Sequence, residues 1–243
     1  MNLITSKKSW LTAPVLALVC LVVFVAIWAV LDPETLMPLF DMDGASPVEL
    51  MTLPLFALIV PLVWLCPPCE GDTGRQCRWA ALWSLLSVMA IVRETDLHKM
   101  LFAQIWPDIA STFPGTVFKM RFIKAAGIPF VPKLFVIVFF IMFFVAVIVP
   151  LVRYIIPLVK GIFKLEPVAW TMATFGATSV VVMIVDRLPA NLRHADIEVS
   201  DSVIALMKVF EEGGEMTMAL LALLAVLQSH LIFGLPRKEA DVA

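Results

Sequence analysis

Apolar residues in this chain come in long blocks rather than in the short amphipathic periods of a soluble domain. Residues 11–31, 48–66, 134–158 and 168–186 are almost unbroken runs. Each is close to the roughly 20 residues that cross about 30 Å of hydrocarbon. A fifth run starts at Trp79 as WAALWSLLSVMAIV and reaches Phe102 if the helix continues through the charged residues after Val92. The last run, 216–234, belongs to a helix that starts near Ser200 or Asp201. The pattern predicts six transmembrane helices, at about 11–31, 48–66, 79–102, 134–158, 168–186 and 201–234.

Helix-start signals support these limits. Ser46-Pro47 opens the second span and Glu166-Pro167 the fifth; proline in a first helical turn loses no hydrogen bond. No internal repeat or low-complexity tract divides the chain. The expected fold is therefore all-α: a polytopic helical membrane protein, one bundle over 1–243, with an interfacial amphipathic segment.

Composition agrees. The 243 residues are 61% hydrophobic, against about 45–50% in soluble domains, and mean hydropathy is +0.96. A net charge of −2 gives no reason to expect nucleic acid. The first run has no small-residue cleavage site and is too long for a signal-peptide core, so it reads as a retained span.

Basic residues set the orientation. Lys7 and Lys8 precede the first span, Arg75 and Arg78 fall in the second loop, Arg153, Lys160 and Lys164 close the fourth span, and Arg237 and Lys238 follow the sixth. With six spans these all lie on one side. The loop after the first span carries Asp32, Glu34, Asp41 and Asp43 and no base. Both termini are expected in the cytoplasm, and the expected location is a bacterial inner membrane. Lys119, Arg121, Lys124 and Lys133 in the third loop run against this count.

Alternation also places three ionisable clusters in one outer layer: Arg93–Lys99, Asp186–Arg187 and Glu211–Glu215. Charges there are expensive and face the bundle interior or water. If the third helix is continuous, Glu94 and His98, four apart, share a face, while Arg93, Asp96 and Lys99 form a neighbouring, self-neutralising stripe. Glu211 and Glu215 are also four apart and repel unless a proton, a base or a cation intervenes. Gly213 and Gly214 would admit a close helix, and a third–sixth contact there would gather Glu94, His98, Glu211 and Glu215. Three carboxylates and one imidazole suit zinc, manganese or iron. Asp186 or Glu212 would then serve as a general base or outer ligand. The Glu–His spacing is four, not the three of carboxylate-bridged di-metal bundles.

Residues 100–133 are too apolar to float free. Phe102, Ile105, Trp106 and Ile109 form a stripe, and Phe118, Phe122 and Ile123 interleave with Lys119, Arg121 and Lys124. That mixture suits the membrane interface, with Lys119, Arg121 and Lys124 holding a phosphate-bearing headgroup or the segment docking a partner protein. Cys66-Pro-Pro-Cys69, with Cys77 beyond, fits a helix terminator, a thiol pair or a metal site.

Three functions follow from these expectations. One is a metal-dependent membrane enzyme acting on a lipid or lipid-linked substrate. A second is a non-catalytic membrane subunit whose charged layer is a structural ion network and whose amphipathic loop docks a partner. A small carrier is the weakest, because no inverted repeat or paired broken span is present.

Overall fold

The computed structural model describes residues 8–40, 46–65, 73–112 and 120–233; within these, the side chains of 73–79, 120, 121, 146, 147, 150, 151, 154 and 230–233 are not described. The described chain is helical, without strands: α1 (Thr12–Val30), α2 (Pro33–Phe40), α3 (Pro47–Leu65), α4 (Thr73–Glu94), α5 (Leu97–Ile105), α6 (Pro107–Thr112), α7 (Met120–Lys124), α8 (Phe130–Phe163), α9 (Pro167–His194) and α10 (Asp201–Phe233). Among the described residues, three helical segments are long and apolar enough to cross a membrane: Ser9–Val30, Pro47–Leu65 and Pro167–His194. The chain is thus a helical protein with membrane-spanning character. α4, α8 and α10 occupy the positions of the other three expected spans.

Local chemistry sets the helix ends. At Leu31 the chain turns extended, because the residue before Pro33 is Asp32 and prolines exclude a continuing helix. Asp32 then caps α2, accepting hydrogen bonds from the Thr35 amide and hydroxyl, both at 3.0 Å. α3 starts in a capping box: the Ser46 amide donates to Glu49 Oε2 at 2.5 Å, and the Glu49 amide donates to Ser46 Oγ at 3.2 Å. At the other end of α8, Leu165 takes a left-handed conformation (φ 56°). The Glu166 amide reaches back to the Gly161 carbonyl at 2.9 Å, closing a Schellman-type turn into α9.

One expectation fails here. The third helix does not run to Phe102. It stops at Glu94, the chain turns through Asp96 (φ 50°), and a separate helix begins at Leu97. The described residues of 100–133 belong to α5, α6, α7, the turns between them and the first turn of α8. Phe102, Phe122 and Val136 make a buried cluster there, with Trp106, Ile109 and Phe135 packed on it. Three residues of the loop's greasy stripe, Phe102, Trp106 and Ile109, are therefore part of the core of a small helical subassembly on α8, whereas Ile105 is exposed.

α10 is the central helix. Its small residues Ala219, Ala222 and Ala225, with Val226, pack on Phe56, Ile59 and Val63 of α3 and on Ala80 and Trp83 of α4. Nearer its start, Ala205 and Val209 are covered by Leu36 and Phe40 of α2. Gly213 and Gly214 do admit close neighbours, but not α4. A Cβ on Gly213 would meet the Phe24 ring of α1 at 2.7 Å, and one on Gly214 would collide with Val182 of α9.

A divided acidic layer

Three carboxylates converge where α3 begins, α4 ends and α10 passes alongside. One oxygen each of Glu49, Glu94 and Glu212 lies within 4.8 Å of the other two. Glu49 is held by its capping duty, since Oε2 already accepts the Ser46 amide. Glu94 is the last residue of α4, and its Oε1 is fully buried with no hydrogen-bond partner. Glu212 is 7% exposed and makes no hydrogen bond or ion pair among the described residues.

Two other acids of the layer have bases. Glu215, also buried, pairs with Arg93 of α4. Glu211 pairs with Lys208 one turn earlier on α10, at 3.0 Å. Asp186 of α9 comes within hydrogen-bonding range of Glu211. Beside the triad lies a cavity of about 40 Å³, lined by Phe56, Ala90, Arg93, Glu94, Glu215 and Met218. At about 10–15 Å³ per water, it has room for a few water molecules and not for a lipid headgroup.

The layer meets α3 in its first turn, at Glu49, and α4 at its last residue, Glu94, but on α10 it lies further along the bundle. Gly213, next to Glu212, is level with Phe24. Val30, the end of α1, lies six residues further on, roughly 9 Å at 1.5 Å per residue. Unpaired charge at such a depth is strongly disfavoured.

The expected ligand set is thus split. Glu94 joins a triad, whereas Glu211 and Glu215 are ion-paired. His98 stands apart: the break at Asp96 removes the shared face with Glu94, and the imidazole stacks on Phe139 of α8 at 5.4 Å, with Nδ1 3.1 Å from the Val92 carbonyl. Of the stripe expected beside it, Lys99 and Asp96 do pair at 2.7 Å, but Arg93 turns to Glu215. Asp186, taken as a base or outer ligand, neighbours Glu211. Glu212, expected in the same role, lies inside the triad.

Among the headgroup candidates, Lys124 is exposed at the end of α7, whose packing is on α8. Lys119 and the side chain of Arg121 lie outside the described residues, as do Cys66, Cys69 and the side chain of Cys77. Glu49 was missed. Its signal was the Ser46-Pro-Val-Glu49 box, whose acid has a second oxygen to spare.

Comparison with known protein families, with curated proteins and with solved structures finds no match.

Proposed function

We propose that this chain is an integral membrane protein whose acidic layer binds a metal cation. The layer gathers six acids, Glu49, Glu94, Asp186, Glu211, Glu212 and Glu215; Lys208 and Arg93 pair with Glu211 and Glu215, and Arg187 stands next to Asp186 in the chain, which leaves the acids in excess. That imbalance, roughly 9 Å inside the end of α1, carries the reading, because buried charge without a counter-charge takes up a proton or a cation. In this reading six spans cross a bacterial inner membrane, with both termini cytoplasmic and the layer near the outer face. The metal would act on a lipid or lipid-linked substrate. The neighbouring cavity admits water alone, so such a substrate would stay at the rim, where Arg93 is more than half exposed.

Elemental analysis of detergent-purified protein, prepared without chelators, tests this. About one metal ion per chain is expected. Folded protein free of metal would leave the carboxyls neutralised by protons and overturn the proposal.

The second reading is a non-catalytic subunit with a structural ion network. The Arg93–Glu215, Lys208–Glu211 and Lys99–Asp96 pairs favour it. It is separated from the first by what Glu94→Gln does: loss of metal with the fold intact on the first reading, loss of thermal stability alone on the second.

A further inference from the structure

Resting on the proposal that the layer binds a metal, we infer that Glu49, Glu94 and Glu212 form the site itself, and that its ligand is a hard, oxygen-preferring divalent cation of the Ca²⁺, Mg²⁺ or Mn²⁺ class. Four observations on different atoms lead there.

The first is reach. Oxygens bound to one such ion lie about 2.0–2.6 Å from it, so they sit no more than roughly 4–5 Å apart. The three carboxylate oxygens, all within 4.8 Å of one another, meet that limit without a backbone shift. The second is vacancy of bonding. Glu94 Oε1 is buried without a partner, and Glu212, 93% buried on its 7% exposure, has none either. A buried oxygen such as Glu94 Oε1 normally finds a donor; a cation supplies the missing interaction there.

The third is donor chemistry. No histidine or cysteine joins the three glutamates among the described residues, and His98 is committed to Phe139 and the Val92 carbonyl. An all-carboxylate set favours Ca²⁺, Mg²⁺ or Mn²⁺ over Zn²⁺. The fourth is hydration. Three carboxylates leave coordination positions open, and the cavity bordering Glu94 has room for a few waters. Mg²⁺ and Mn²⁺ sites commonly retain them.

Glu49 also links the site to the fold. One of its oxygens caps α3, so an ion on the other would tie the start of α3 to the end of α4. Glutamine serves as well as glutamate in a capping box. Glu49→Gln therefore removes charge from the site while keeping the helix start, and separates ligand loss from misfolding.

The experiment is equilibrium dialysis of the detergent-purified, metal-stripped full chain against Ca²⁺, Mg²⁺, Mn²⁺ and Zn²⁺ in turn, with bound metal counted by mass spectrometry. The expected result is about one Ca²⁺, Mg²⁺ or Mn²⁺ per chain, weakened at least tenfold by Glu49→Gln, Glu94→Gln and Glu212→Gln and unchanged by His98→Ala. Should the glutamine variants fail to fold, the melting temperature of the wild type decides: Mn²⁺ or Ca²⁺ must raise it more than Zn²⁺ does. Tight Zn²⁺ binding lost in His98→Ala, or binding lost in Glu211→Gln but kept in Glu49→Gln, overturns the triad while leaving a metal protein. Absence of any bound ion from folded wild type overturns both.

Discussion

Two halves of one acidic layer obey different rules. On one side, Glu215 faces Arg93 and Glu211 faces Lys208, so each acid has a base within a salt bridge. On the other, Glu49, Glu94 and Glu212 converge on one another, and no ion pair joins them to a base among the described residues, although Arg93 and Lys208 lie near enough to act on Glu94 and Glu212. Both halves lie on the same turns of α10, and neighbouring Glu211 and Glu212 fall into different halves. Burial alone does not distinguish them, since Glu212 and Glu215 are 7% and 6% exposed. The difference is the partner each helix face meets. Glu215 meets a basic side chain from α4, whereas Glu212 meets the acidic ends of α3 and α4. A salt bridge satisfies its own carboxylate and asks for no ligand; three converging carboxylates are satisfied only by something added.

The largest expected effects follow from that contrast. Glu212→Gln should abolish stoichiometric metal binding, read by mass spectrometry, and should leave the melting temperature of metal-free protein unchanged or raised, because one of three mutually repelling charges is gone. Arg93→Met is the opposite case. It strands a buried Glu215 carboxylate, and breaking a fully buried pair costs about 3–5 kcal/mol. Arg93 is more than half exposed, so a loss of about 1–2 kcal/mol is expected, measured by denaturation in detergent, with metal still bound.

Smaller effects test the frame around the layer. Gly214→Ala would push its Cβ into Val182 of α9; an overpacked contact of this kind costs about 1–3 kcal/mol, seen as a lower melting temperature. His98→Ala should lose the stacking on Phe139, about 0.5–1.5 kcal/mol for an aromatic pair, with no change in metal content.

The smallest effect belongs to Asp32, outside the spans. Hydrogen bonds from the Thr35 hydroxyl and amide hold its carboxyl below the usual range. A lowered folded-state value means stabilisation that is present above the ordinary aspartate range, near about 4, and fades as pH falls through the folded value. The melting-temperature gap between wild type and Asp32→Ala should be constant near neutral pH and close on acidification. A gap independent of pH would show that the charge plays no part in the cap.

Hydropathy made the helices legible, and with them the layer. Long apolar runs located α1, α3, α8 and α9, and the proline-led starts at Ser46 and Glu166 located helix beginnings to within a residue or two. Alternation of spans put Glu94, Asp186 and Glu211–Glu215 in one layer; in the structure Glu94 lies with Glu212, and Asp186 beside Glu211. What failed depended on local geometry without a sequence marker. Thr95 and Asp96 contain neither glycine nor proline, so a continuous helix was the natural reading, and the Glu94–His98 face depended on it. Aspartate tolerates the left-handed conformation better than most residues, a signal too weak to place the break. The glycine pair correctly marked close packing, but glycine does not name the neighbour, and α1 and α9 took the places expected of α4. Glu49 stayed hidden because a capping role already explained it.

The unpaired half of the layer, and not the paired half, is thus the proposed binding site. Electron paramagnetic resonance of added Mn²⁺ tests it most directly, by comparing Glu49→Gln with Glu211→Gln in detergent. Glu211→Gln is expected to immobilise about one Mn²⁺ per chain, as the wild type does, and Glu49→Gln to leave the ion free in solution. Mn²⁺ held equally by Glu49→Gln, or lost only in Glu211→Gln, would contradict it.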